Sequence, residues 1–179
     1  MNLPNKLTLS RILCTFAMVV FLALKGPLFA WLSLAMYAVA SVTDYFDGKI
    51  ARSRNLVTNL GKFMDPLADK ILNYSVMIML IPEGLVPLIA LVLILFREFM
   101  VAGIRQLAAE QGQVIAANIW GKIKTFFQDI ALVVLLLLRP FGFAFLPMLG
   151  SILIWICAAL TVISGIIYLR QNIHVLKEP

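Results

Sequence analysis

The feature that most constrains this chain is a succession of uncharged apolar runs: Ile12–Leu24, Gly26–Thr43, Ile71–Pro82, Gly84–Phe96, Ile130–Leu138 and Pro140–Leu169. A helix needs about 20 apolar residues to cross a bilayer core about 30 Å thick. Gly26–Thr43 and Pro140–Leu169 meet that demand alone. The other four meet it when their helices continue past charged residues at the membrane edge, where Arg11 and Lys124 would snorkel to the interface. Turn signals at Lys25-Gly26-Pro27, Pro82-Glu83-Gly84 and Arg139-Pro140 separate the runs. The pattern predicts an all-α integral membrane protein with six transmembrane helices, over 6–24, 27–43, 62–81, 85–108, 122–138 and 147–169.

Composition excludes the water-soluble alternative. Hydrophobic residues make up 62% of the chain and charged residues 13%, against about 45–50% and about 25% in soluble domains. Too little polar surface is left to coat a globule. Disorder, coiled coil, collagen and disulfide scaffolds fail on the same figures. Cys14 and Cys157 each sit within an apolar run and read as small buried hydrophobes. His174 reads as a solvated residue. The first run ends in no small-residue cleavage site and five more follow, so it reads as a span rather than a cleaved signal. No transit peptide precedes it, which makes a bacterial cytoplasmic membrane the expected home. No repeat or linker interrupts the chain, so residues 1–179 are expected to form a single domain.

An even number of spans puts both termini on one side. That side collects Lys6, Arg11, Lys49, Arg52, Arg54, Lys62, Lys70, Arg97, Arg105, Lys122, Lys124, Arg170 and Lys177, leaving only Lys25 and Arg139 of the 15 Lys and Arg opposite. The asymmetry predicts cytoplasmic termini. Most of the positive charge then faces the anionic leaflet, the cytosol or an anionic substrate. No basic segment stands apart from the spans, so no nucleic-acid partner is expected.

Four of the nine acids fall in one short stretch. Asp44 and Asp47 are spaced i, i+3 at the end of the second predicted helix, and Asp65 and Asp69 i, i+4 at the start of the third. Each pair shares a face, and the short connection predicts adjacent, antiparallel helices on which the pairs converge. Converging carboxylates repel by several kcal/mol, roughly, unless cations, Lys/Arg partners or protons neutralise them. Oxygen-only ligation favours Mg²⁺ or Mn²⁺, and paired metals are a recurrent device for phosphoryl transfer. The alternative is a set of helix-end charges answered by Lys49, Arg52, Lys62 and Lys70. Gly48, Ala51 and Gly61 lie beside the acids, where bulk would block a ligand; small residues also serve close helix packing.

Asp44, Asp47, Gly48, Ala51, Arg52, Gly61, Asp65 and Asp69 together resemble, position for position, the signature of the CDP-alcohol phosphotransferases. The resemblance implies transfer of a substituted phosphate from a CDP-linked donor to an alcohol, with release of CMP. It implies that Asp44, Asp47 and Asp65 ligate divalent metal, Mg²⁺ or Mn²⁺ and two ions in all. Asp69 is then the catalytic base for the acceptor hydroxyl and a further metal contact. Gly48, Ala51, Arg52 and Gly61 would bind the nucleotide in a polar cavity facing the cytoplasm.

Arg97, Arg105, Lys122 and Lys124 enter the fourth and fifth predicted helices, and Arg97 and Arg105 lie about two turns apart on a shared face. Basic residues in apolar helices are costly and usually functional, and guanidinium groups grip phosphate bidentately. The alternative is plain topology with Glu98 and Glu110 as partners. The segments Phe96-Arg97-Glu98-Phe99, Gly103-Ile104-Arg105 and Gly121-Lys122-Ile123-Lys124-Thr125, with the opening Pro4-Asn5-Lys6-Leu7-Thr8-Leu9-Ser10-Arg11, resemble the phosphatidylglycerophosphate synthase branch of the family. That resemblance implies CDP-diacylglycerol as donor and glycerol 3-phosphate as acceptor, its phosphate held by Arg97, Arg105 and Lys122. Asn5, Thr8 and Arg11 would line the cytoplasmic mouth. It also implies a homodimer packed through membrane helices. Inositol phosphate, serine or phosphatidylglycerol as acceptor, and a divalent-cation transporter using the same carboxylates, remain as alternatives.

Overall fold

A computed structural model describes residues 3–24, 26–53, 59–113, 115 and 119–176, with the side chains of 3–6, 45–53, 59, 60 and 62 outside that description. The described residues form six α-helices: α1 (Leu3–Ala23), α2 (Pro27–Ser53), α3 (Asn59–Met79), α4 (Leu88–Glu110), α5 (Ile119–Leu138) and α6 (Leu146–Gln171). Short 3₁₀ turns occupy Arg139–Phe141 and Ile173–Leu176. The architecture is all-helical, as the apolar runs predict. Two stretches, Pro27–Asp44 and Leu146–Gln171, are long and apolar enough to cross a membrane by length and composition.

The helix limits follow from local chemistry. Pro27 opens α2, where its fixed φ is pre-organised and its missing N–H costs nothing. Pro87, at φ −65° and ψ 126°, holds the chain extended before Leu88, so α4 begins three residues later than the apolar run suggests. At the other end of α4, Gly112 takes φ +73°, its N–H bonds Ala109 O, and Gln113 N–H bonds Ala108 O at 2.8 Å. This is a Schellman closure, which needs the left-handed conformation glycine adopts freely. Polar residues inside the apolar helices bond backwards to their own backbone: Thr15 to Arg11 O, Ser33 to Ala30 O and Thr161 to Cys157 O.

The second helix departs from expectation. It was expected to end at residue 43 but continues to Ser53, so Asp44 and Asp47 lie within it. Nothing between 43 and 53 breaks a helix except Gly48, a cost of about 1 kcal/mol. Its 27 residues span roughly 40 Å at 1.5 Å per residue, more than the roughly 30 Å of a bilayer core.

The chain divides into two compact units, Met1–Pro82 with Leu132–Leu146, and Glu83–Ala131 with Pro147–Pro179. In the first, α1 packs along both α2 and α3, whereas α2 and α3 touch each other only slightly among the described residues. The two acidic helices are therefore joined through α1 rather than packed face to face. Arg139 closes the other end of α1, its Nη2 donating to Leu22 O at 3.1 Å, where a cation meets the unsatisfied carbonyls of a helix C-terminus. In the second unit, Val101 and Ile104 of α4 bury against Tyr168 of α6, with Met100, Ile115 and Leu169 around them. Gln111 Nε2 donates to Val175 O at 3.1 Å and ties the end of α4 to the last 3₁₀ turn.

Candidate active site

Thr8 and Arg11, three residues apart on α1, share a face. Both are buried, Arg11 completely. Each holds a carboxylate of the acidic motif. Thr8 Oγ1 donates to Asp65 Oδ1 at 2.7 Å, and Arg11 Nη1 is ion-paired with Asp44 Oδ1. The Asp44 side chain remains 51% exposed, so the pair joins an interior guanidinium to an open carboxylate. One turn of α1 thus ties α2 to α3.

Asp69 is held differently. Asn73, four residues on and nearly fully buried, turns its Nδ2 toward Asp69 Oδ1 at 3.5 Å. Its Oδ1 accepts from Tyr37 Oη at 3.0 Å. Tyr37 lies on α2 seven residues before Asp44 and hence on the same face. The phenol fixes which end of the amide faces the carboxylate.

Gly48 and Ala51 lie within α2 and Gly61 in the first turn of α3. The side chains of Asn5, Asp47, Ala51 and Arg52 lie outside the described residues. Among the described residues, no three His, Cys, Asp or Glu side chains gather closely enough to hold a metal ion. Asp44, Asp65 and Asp69 instead each have a protein partner, from Arg11, Thr8 and Asn73.

In the second unit, Arg97 is buried in α4. Its Nη1 pairs with Glu98 Oε1 at 2.9 Å, and the same oxygen takes Lys124 Nζ at 3.0 Å. Lys124 is 3% exposed. Arg97 Nε is buried with no hydrogen-bond acceptor among the described residues. Such a group costs about 1–3 kcal/mol, which an anionic oxygen would relieve. Arg105 is exposed; its Nε donates to Tyr168 Oη at 3.3 Å, and its guanidinium carbon sits 5.7 Å from the centre of the Tyr168 ring. Lys122 is exposed on α5.

Two expectations are corrected. Arg11 and Lys124 do not snorkel outward; both are buried, because Asp44 and Glu98 neutralise them in place. Sequence reasoning also gave no role to Tyr37, Asn73 or Tyr168. Spacing held a signal for the first two: Asn73 is i+4 from Asp69, and Tyr37 is i−7 from Asp44. Tyr168 carried none, because α6 is apolar around its whole circumference.

Comparison with known proteins places the chain in a family. The model of the CDP-alcohol phosphatidyltransferase family matches residues 1–163. The chain belongs to this family and is a transferase. A Rickettsia bellii (strain RML369-C) protein named CDP-diacylglycerol–glycerol-3-phosphate 3-phosphatidyltransferase is 41% identical over 170 residues, covering 94% of each chain. A Bacillus subtilis (strain 168) protein of the same name is 41% identical over 189 residues, covering 98% of this chain and 97% of its own. A Mycobacterium tuberculosis (strain CDC 1551 / Oshkosh) protein named as a probable phosphatidylglycerophosphate synthase is 38% identical, covering 97% of this chain and 82% of its own.

Proposed function

We propose that this protein transfers the phosphatidyl group of CDP-diacylglycerol to sn-glycerol 3-phosphate, giving phosphatidylglycerophosphate and CMP. The observation that carries the reading is the attachment of Asp44 and Asp65, two signature acids of the family, to neighbouring positions on one face of α1. The relatives named for this reaction cover nearly the whole chain and support the same acceptor.

The six helices act as six spans of one catalytic domain, with both termini and the polar site toward the cytoplasm of a bacterial inner membrane. Large apolar side chains on their outer faces support this: Leu13 and Phe16 of α1, Phe96 and Phe99 of α4, and Phe126 of α5 are all more than half exposed. In water such surface would drive association; in lipid it is matched. The protein works as a homodimer packed through these helices.

The acyl chains of the donor stay in the bilayer while its cytidine diphosphate lies against Gly48, Ala51, Arg52 and Gly61. Asp44, Asp47, Asp65 and Asp69 offer oxygen-only donors, which fit Mg²⁺ or Mn²⁺ and number enough for two ions. When bound, such ions polarise the diphosphate and offset charge on the departing CMP. Asp69 takes the proton of the acceptor hydroxyl. The hydroxyl oxygen bonds to the phosphorus that bears the diacylglycerol, and the bond from that phosphorus to the CMP oxygen breaks, its electron pair leaving with CMP. Thr8 and Arg11 keep Asp65 and Asp44 in place, and Tyr37 orients Asp69 through Asn73. Arg97, Arg105 and Lys122 hold the acceptor phosphate, which supplies binding energy away from the reacting centre.

The test is CMP release by purified protein in lipid nanodiscs containing CDP-diacylglycerol, across glycerol 3-phosphate, inositol phosphate, serine and phosphatidylglycerol. Turnover with glycerol 3-phosphate above the other three is expected. Equal or faster release with another acceptor would replace the acceptor and keep the chemistry. Asp44→Asn and Asp69→Asn should each lower release by about 10³-fold or more while the protein still inserts; full activity in either would remove these carboxylates from the mechanism.

A further inference from the structure

Hydropathy makes α6 an undifferentiated span, yet two of its residues address the arginines of α4. Gly165 lies against the stem of Arg97. A methyl group added there would stand 2.8 Å from Arg97 Cγ, closer than carbon atoms pack, and 3.5 Å from Met100 Cε. The stem has little slack to yield, because Glu98 holds the Arg97 head at 2.9 Å. At the guanidinium end, a Cβ at Gly121 would lie 3.4 Å from Arg97 Nη2. Arg97 therefore runs through a slot that exists because position 165 has no side chain. One turn on, Tyr168 is 1% exposed and fixed among Val101 and Ile104. Its hydroxyl accepts from Arg105 Nε, and its ring lies beside the same guanidinium. An exposed arginine otherwise loses rotamer entropy on binding a ligand. Held at Nε, Arg105 keeps both terminal nitrogens for a bidentate grip on phosphate.

Resting on the reading of Arg97 and Arg105 as acceptor-phosphate groups, we infer that Gly165 and Tyr168 are positioning residues that set the depth of Arg97 and the orientation of Arg105. In this arrangement α6 tunes acceptor affinity without touching the reacting atoms.

The experiment measures CMP release in nanodiscs with glycerol 3-phosphate and CDP-diacylglycerol varied in turn. Gly165→Ala should raise the acceptor KM about tenfold and Tyr168→Phe about threefold, with kcat and the KM for CDP-diacylglycerol within about twofold of the parent. In an Arg97→Ala background, where the stem beyond Cβ is gone, Gly165→Ala should add no further rise. An equal rise in that background would overturn the slot. If Gly165→Ala alone fails to accumulate as folded protein, Arg97→Ala must restore it; failure of the double variant also overturns the slot. Arg97→Ala and Arg105→Ala separate the two levels of inference. Should these leave the acceptor KM unchanged, the acceptor site itself is misassigned and the positioning roles fall with it. Should they raise it while Gly165→Ala and Tyr168→Phe do not, the positioning roles alone are refuted.

Discussion

Thr8 on α1 donates a hydrogen bond from its hydroxyl to Asp65 on α3 across 2.7 Å, from a site that is 2% exposed. A hydrogen bond to a charged group contributes about 1.5–3 kcal/mol. Thr8→Val keeps the shape and removes the donor, so CMP release should fall at least about tenfold. Thr8→Ser, which keeps the O–H, should retain most of it. Equal activity in both variants would separate Asp65 from its α1 support.

Arg11 is completely buried and its charge is answered by Asp44. Arg11→Met removes an interior cation together with its partner's counter-charge, but Asp44 is half exposed and recovers hydration. The expected loss is therefore moderate, about 1–3 kcal/mol rather than the 3–5 of a fully enclosed pair. For a chain of this size that is roughly 3–10 °C in the unfolding midpoint in detergent. Arg11→Lys should lose less.

Glu98 accepts from both Arg97 and Lys124. Glu98→Gln leaves two buried cations beside a neutral amide and should cost about 3–5 kcal/mol. Adding Lys124→Met removes one of the stranded charges and should recover part of the midpoint. Additive losses in the double variant would show that the three side chains do not act as a network.

Tyr37→Phe deletes the O–H that Asn73 accepts and leaves the ring in place. Asp69 then faces an amide whose orientation the phenol no longer fixes. A loss of about 1 kcal/mol is expected, roughly fivefold in kcat, with acceptor KM unchanged. Asn73→Leu should cost more.

Stripping divalent cations with excess chelator should stop CMP release, and Mg²⁺ or Mn²⁺ should restore it. Full turnover in chelator would remove metal from the reading of the four aspartates.

The six helices were legible because lipid-length apolar runs and Pro or Gly punctuation are local signals. Pro27, Gly84 and Pro140 act where they stand in the chain. The extra turns of α2 were not legible from the same runs. Hydropathy reports where a bilayer would tolerate the chain, while helical hydrogen bonding continues through Asp44 until something breaks it. The acidic motif was legible from its spacing as a resemblance to the family. Its supports were not, since Thr8 lies 57 residues from Asp65 and no periodicity within α1 names a partner in α3. Arg11 and Lys124 misled for a related reason: a cation near a helix end reads as outward-facing until the acid that neutralises it is seen. The Gly165 clearance and the Tyr168 contact depend on which side of α6 meets α4, and a uniformly apolar helix does not declare a side.

Because α1 precedes α2 and α3 in the chain, Arg11 and Thr8 have already been synthesised when Asp44 and Asp65 leave the ribosome. The counter-charge and the donor that hold the motif are thus made before the carboxylates they hold, so the chain lays down the support of the site ahead of the site itself.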